Sequence, residues 1–195
     1  MAKYGAKYLR WAPFAAATPD ASASALPKYG TPLGLGGLVK VSDNPSFNEG
    51  KQYGDCELKE SVYEFKECPV DVEVTELTNA TASAVLGATL ASSGDDTDLK
   101  FGSNDNAPYG GLGFYICKLI NNAKKFQGVY YPKLKAAMQG EEYTTSGDGV
   151  TLTGGKIHFT ASTPANGNWK ILSAEFDTEA AAKTWVDAKI VAATV

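Results

Sequence analysis

Residues Tyr109 to Thr145, YGGLGFYICKLINNAKKFQGVYYPKLKAAMQGEEYTT, decide how the rest of the chain is read. Phe114, Ile116, Lys118 and Ile120 point one way along the first arm, and Tyr115, Cys117 and Leu119 point the other. A period of two predicts a strand with both faces at least partly covered. Asn121-Asn122-Ala123 predicts a turn, after which a second arm runs from Phe126 through Val129 and Tyr131, resumes at Leu134, Ala136 and Met138, and stops before Gly140. Pro132 interrupts it. Proline has no N–H to give to a ladder, so this arm is expected at an edge or a bulge, with Tyr130, Tyr131 and Pro132 as a candidate inter-subunit edge.

Composition bounds the answer from outside. With 195 residues, 44% hydrophobic and 11% aromatic, the chain can bury one core, and a single main domain is expected. Twenty glycines and nine prolines, spread among Thr, Val, Tyr and Phe clusters, predict many short strands. A net charge of −4 and a pI near 5.1 argue against a protein that grips nucleic acid through its phosphates. Cys56, Cys68 and Cys117 have no metal-ligand spacing, which favours reduced thiols, although Cys56 and Cys68 could pair in an oxidising setting. Lys3, Lys7 and Arg10 precede only a short apolar run broken by Pro13, a poor signal peptide, and no membrane-spanning segment is expected.

Taken in order, Ala6 to Trp11 predicts a short strand, and Pro13, Pro19, Pro27 and Pro32 then interrupt every window. Residues 1–35 are therefore expected to be an N-terminal arm or extended segment, either solvated or ordered against a neighbouring chain, and 36–195 the folded domain. Ser42 to Asp55 is dense in Asn, Asp, Gly, Pro and Ser and predicts a long loop anchored by Phe47 and Tyr53. Val62 to Leu77 predicts two strands of a hairpin, apolar through Val70, Val72 and Val74 and acidic through Glu60, Glu64, Asp71 and Glu73. Thr78 or Asn79 caps a short helix that Gly87 stops. The Asp-rich stretch around Asp95, Asp96, Asp98 and Asp105 has calcium-ligand residue types without EF-hand spacing, and reads as a solvated loop. Val150, Leu152, Ile157 and Phe159 flank Gly154-Gly155 as a hairpin. His158, the only histidine, has no nucleophile or paired carboxylate motif beside it and reads as a surface strand residue. A last strand, Trp169 to Phe176, leads to a helix whose stripe is Ala182, Trp185, Val186 and Ile190, with Glu179 and Lys183 able to pair across a turn. Eight or nine strands, two helices and no βαβ rhythm predict a mainly β, antiparallel β-sandwich or barrel flanked by one short and one C-terminal α-helix.

Three segments carry a family resemblance: Gly113-Phe114-Tyr115, Gln127-Gly128-Val129-Tyr130-Tyr131-Pro132-Lys133, and Gly140-Glu141-Glu142-Tyr143-Thr144-Thr145. Together with Tyr53-Gly54-Asp55, Asn166-Gly167-Asn168-Trp169 and Trp185-Val186-Asp187, they resemble the major tail protein, or tail-tube protein, of long-tailed, non-contractile phages of Gram-positive hosts. The resemblance covers about residues 36 to 190. It implies a structural subunit, not an enzyme and without cofactor or metal. Hexameric rings of it would stack into a tube that carries the genome into the host cell. It also implies that residues 42–58 form a ring-stacking loop through Asn44, Phe47, Asn48, Glu49, Lys51 and Tyr53. In a closed tube Asp71 and Glu73 become candidate lumen-facing carboxylates that repel passing DNA without binding it. If six subunits each give four strands, about 24 strands at ~4.8 Å spacing and ~40° tilt close a barrel about 48 Å across, wide enough for a duplex. A tape-measure protein, a tail terminator and distal tail proteins are the implied partners, with a virion tail assembled in the host cytoplasm as the location. A second reading comes from Tyr130, Tyr131, Tyr143, Trp169 and the Asp-rich loop: a monomeric carbohydrate- or surface-binding β-sandwich module, with calcium as its conditional ligand.

Overall fold

The computed structural model describes residues 2–15, 20, 22–93, 96–140 and 154–191. Over these residues the chain is mainly β and wholly antiparallel, with two helices. In chain order the elements are β1 (Ala2–Pro13), β2 (Leu33–Gly34), β3 (Leu38–Asp43), β4 (Ser46–Gly54), β5 (Glu57–Val74), α1 (Asn79–Leu86), β6 (Thr89–Ser93) and β7 (Asp96–Lys100). They continue with β8 (Tyr109–Ile120), β9 (Ala123–Ala137), β10 (Gly155–Ala161), β11 (Ile171–Phe176) and α2 (Glu179–Lys189). Eleven described strands exceed the eight or nine expected, because segments rich in Asn, Asp, Gly and Ser pair where local propensity favours loops.

The main sheet runs β2-β1-β8-β9-β10-β5-β3, with β11 also on β9 and β4 also on β5; β6 and β7 form a separate hairpin over part of the Asp-rich stretch. Asp95 and the whole segment 141–153, with Glu141 to Thr145, Val150 and Leu152, lie outside the described residues. The β8–β9 hairpin turns at Asn121-Asn122, both at positive φ (48° and 64°), which matches the right-handed twist of the arms it joins. Although β1 and β3 lie far apart along the path, they approach each other, so the sheet curls around one face. That face holds the main core: Leu9, Trp11, Val70, Val72, Val74, Leu112, Phe114, Val129, Tyr131, Leu134, Ile157 and Phe159, closed at one end by Val85 of α1.

Helix α2 covers the other face. Thr178 caps it by accepting from the Ala181 N–H, and the pair Glu179–Lys183 forms at 3.0 Å. Ala182, Val186 and Ile190 are buried against Ala12, Tyr115, Phe126 and Tyr130, and Trp185 packs at the border. Helix α1 has Thr78 as its cap and Gly87, at φ 73°, as its stop.

Four expectations change. The stretch 1–35, expected as an arm or extended segment either solvated or ordered against a neighbouring chain, is in its described residues part of the packed body: Trp11, Ala12, Tyr29 and Leu35 are buried, and Tyr29 donates its hydroxyl to the Pro132 carbonyl at 2.6 Å. The expected loop at 42–58 is mostly the β4–β5 hairpin. Val62 to Leu77 is not a two-strand hairpin, because β5 continues unbroken through Pro69 to Val74. Gly154-Gly155 is not a turn at positive φ: Gly155 pairs with Val74, and any side chain at Gly154 would collide with the Val74 carbonyl, so close backbone approach is what demands glycine there.

Candidate assembly surface

Ser46 to Gly54 pairs with Glu57 to Glu67, turning at Asp55 and Cys56, both at positive φ (53° and 66°). On β5, only residues 68–74 pair with the body of the sheet, so the first half of the strand carries β4 away from it. Residue alternation sorts the hairpin into two faces. Phe47, Glu49, Lys51 and Tyr53 of β4 stand opposite Phe65, Tyr63, Ser61 and Leu58 of β5, and Asn48, Gly50 and Gln52 stand opposite Glu64, Val62 and Glu60. The first face is aromatic and the second polar and acidic. Lys66 is bulged out of register between the pairs Ser46–Glu67 and Phe47–Phe65, which turns Phe65 toward the core alongside Cys68, Val70 and Val72.

The aromatic face thereby continues the core outward. Trp169 stacks flat on Phe65 at 4.5 Å, and Phe65 meets Phe47 edge-on at 6.0 Å. Beyond that root the stripe is open among the described residues: Phe47 is 50% exposed, Leu58 51%, Tyr63 64% and Tyr53 65%. Tyr63 donates to Glu49 at 2.6 Å, and Lys51 pairs with the same carboxylate at 2.9 Å. These hydrogen bonds hold the Glu49 carboxyl below its ordinary range, so its charge persists on the aromatic face.

Asp43 buttresses the root. It accepts from Tyr131 at 2.9 Å and from Lys170, which also lies over the Tyr131 ring. Burial opposes ionisation of Asp43, but the Lys170 and Tyr131 hydrogen bonds outweigh it and leave the carboxyl below its ordinary value. Burial, with Asp43 beside it, drives the Tyr131 hydroxyl well above the usual phenol range. Asn44, expected among the stacking residues, sits at this root, where its N–H donates to the Pro69 carbonyl at 3.0 Å. No local pattern marks Lys170 as a hairpin support; only its place after the aromatic Trp169 hints at it.

The candidate edge at Tyr130, Tyr131 and Pro132 is corrected. Strand β9 is interior, paired with β8 on one side and with β11 and then β10 on the other, and all three residues are buried. Pro132 falls in the gap between β11, which ends its pairing at Tyr130, and β10, which begins at Leu134. The missing N–H therefore marks a bulge and not an edge, and the Tyr29 hydroxyl meets its carbonyl. The same burial removes Tyr130 and Tyr131 from any glycan-stacking platform.

Asp71 and Glu73 do face away from the core, but not on a uniformly acidic surface. Asp71 stands between Ser42 and His158, and Glu73 between Lys40 and Lys156. His158 Nδ1 lies 2.7 Å from Asp71, which also accepts from Gln139 at 3.0 Å. The hairpin carboxylates Glu60 and Glu64 are the less balanced ones. Cys56 is at the hairpin tip and Cys68 is buried twelve positions along the same strand (56 to 68), about 40 Å away at ~3.3 Å per residue, so they cannot pair within one chain. Among the described residues no three His, Cys, Asp or Glu side chains converge as metal ligands, and no helix is long and apolar enough to cross a membrane. No protein-family model matches the chain, and no curated protein matches its sequence.

Proposed function

We propose that this chain is the repeating subunit of a phage tail tube, assembling into stacked rings through which the genome passes. The observation that carries the reading is the β4–β5 hairpin, which leaves the body of the sheet with an aromatic stripe exposed on one face. An isolated two-stranded hairpin is marginal in water, and a contiguous exposed apolar patch on a soluble protein marks a contact site. A hairpin of this kind, rooted on Trp169 and Asp43, suits a rigid arm that lies on a neighbouring subunit. The antiparallel sheet supports ring formation as well: among the described residues β3 and most of β1 have a side with no strand partner, and edge-to-edge closure would cover such edges.

The role is passive, so it asks for no reacting residue, cofactor or metal. Repulsion of DNA falls to Glu60 and Glu64 more than to Asp71, which is engaged by His158 and Gln139, and to Glu73, which stands between Lys40 and Lys156. Tape-measure, terminator and distal tail proteins belong to the same proposal, as does a virion location. The test is a shortened hairpin in which residues 51–61 are replaced by Asn-Gly, joining the cross-strand pair Gly50 and Val62. The variant is expected to keep its circular dichroism spectrum and melting transition while losing all sedimentable assembly. Normal tubes from it would remove the hairpin from the assembly surface and the main support of the reading with it.

A further inference from the structure

Strand β5 has the hairpin at one end and a cleft at the other. The cleft, about 850 Å³, opens just past its C-terminal residue Val74, among Thr75 to Leu77, α1, β7 and the ends of β9 and β10. Its apolar lining includes Leu77, Leu86, Leu99, Phe101 and Met138. Phe101 and Met138 are more than half exposed, so the apolar floor is open to a partner. Lys100 and Lys156 lie on the rim with Glu76 and Asp98.

We propose, resting on the tail-tube reading, that this cleft receives the β4–β5 hairpin tip of a second copy of the chain, making the stacking contact head-to-tail. Tip and cleft are carried by one continuous strand, about 60 Å apart at ~3.3 Å per residue over β5, so each copy offers a tip at one end and a cleft at the other. A contact between two different patches on opposite ends can repeat along an axis as an open stack, whereas a tip-to-tip contact closes after two copies. Tyr53 and Leu58, paired across the tip, are apolar side chains of a size for Phe101, Met138 and Leu99, and both are more than half exposed. Asp55 at the turn, which makes no ion pair among the described residues, complements Lys100 and Lys156, whereas Glu57 pairs with Lys59 and Lys51 with Glu49 inside the hairpin. The chain's own residues 141–153, which connect Gly140 to Gly154 on the cleft lining, are the competing occupant.

Cys56 provides the test, because it is exposed at the tip while Cys68 and Cys117 are buried. Met138→Cys, with Phe101→Cys as a second variant should the first misfold, places a thiol on the cleft. Leu119→Cys places one at the hairpin's own end of the molecule, on an exposed position. Copper-catalysed oxidation of the concentrated full chain is expected to give an interchain ladder with the cleft variants, none with Leu119→Cys, and none once Cys56→Ser is added. Three results would overturn the assignment: Cys56–Cys56 dimers as the main product, an equal ladder from Leu119→Cys, or tubes that form without any ladder from the cleft variants. Protection of the cleft thiol from iodoacetamide at every protein concentration, without a ladder, would assign the cleft to residues 141–153. Absence of both tubes and ladder overturns the tail-tube reading along with the cleft, whereas tubes without a ladder overturn the cleft alone.

Discussion

Gly128 lies under the ring of Trp185, and Gly113 lies under Ile190 and Val186, so two of the glycines in the central hairpin are the floor on which α2 sits. A Cβ at Gly128 would occupy the same space as the Trp185 ring, and the helix has no room to retreat without uncovering Tyr115, Phe126 and Tyr130. Gly128→Ala is therefore expected to cost about 1–3 kcal/mol by overpacking, read as a lower melting temperature in calorimetry. An unchanged transition would mean that α2 is not seated as described. Asp43 makes a different kind of claim, one that depends on pH. Its carboxyl is held below the ordinary value of 3.8, so ionised Asp43 stabilises the fold above that pH. That contribution is lost as pH falls through the depressed folded value. The urea midpoint of Asp43→Asn should lie below wild type near neutrality, with the gap narrowing as pH drops under 3.8. A gap that stays constant into acid would show that the Lys170 and Tyr131 contacts do not depend on the charge.

At the scale of elements, the hairpin depends on its root. Trp169 stacked on Phe65 is the main apolar contact that ties β4 and the outer half of β5 to the core. Trp169→Ala is expected to cost about 2 kcal/mol, less than a fully buried aromatic because the ring is only partly covered. Its signature is faster amide exchange across residues 46–67, with β8 and β9 still protected. Uniformly faster exchange would place Trp169 in the global core instead. The elements differ in how far sequence alone reveals them, and the reason is physical. The stripe Ala182, Val186 and Ile190 is a local pattern that burial obeys, and the run Phe114 to Cys117 is covered on both faces as its residue types imply, so α2 and β8 are readable, although Lys118 is buried and Leu119 exposed against the apolar pattern. The β4 segment is not, because Asn48, Gly50 and Gln52 have poor strand propensity and pair only because Glu64, Val62 and Glu60 are brought opposite them. Pro132 leaves edge and bulge both open because its lost donor is a local fact, whereas the gap between β11 and β10 that makes it a bulge is a tertiary one. Tyr29, inside a proline-interrupted run, is buried by contacts with Tyr130 and Pro132, more than a hundred positions away, that no window could contain.

For the whole molecule, the account joins an antiparallel body, curled around one core and covered by α2, to an arm with an uncovered aromatic stripe. A monomer of this shape leaves the stripe in water and the outer sides of β1 and β3 without a strand partner among the described residues, a cost that a ring and a stack would remove. The most direct measurement is negative-stain electron microscopy of the purified chain over a rising concentration series, with its mass followed by light scattering. The account predicts rings at intermediate concentration and hollow tubes of constant width at high concentration, with mass rising in multiples of the ring. A chain that stays at its monomer mass of 20.6 kDa throughout, with featureless fields under the microscope, would contradict it.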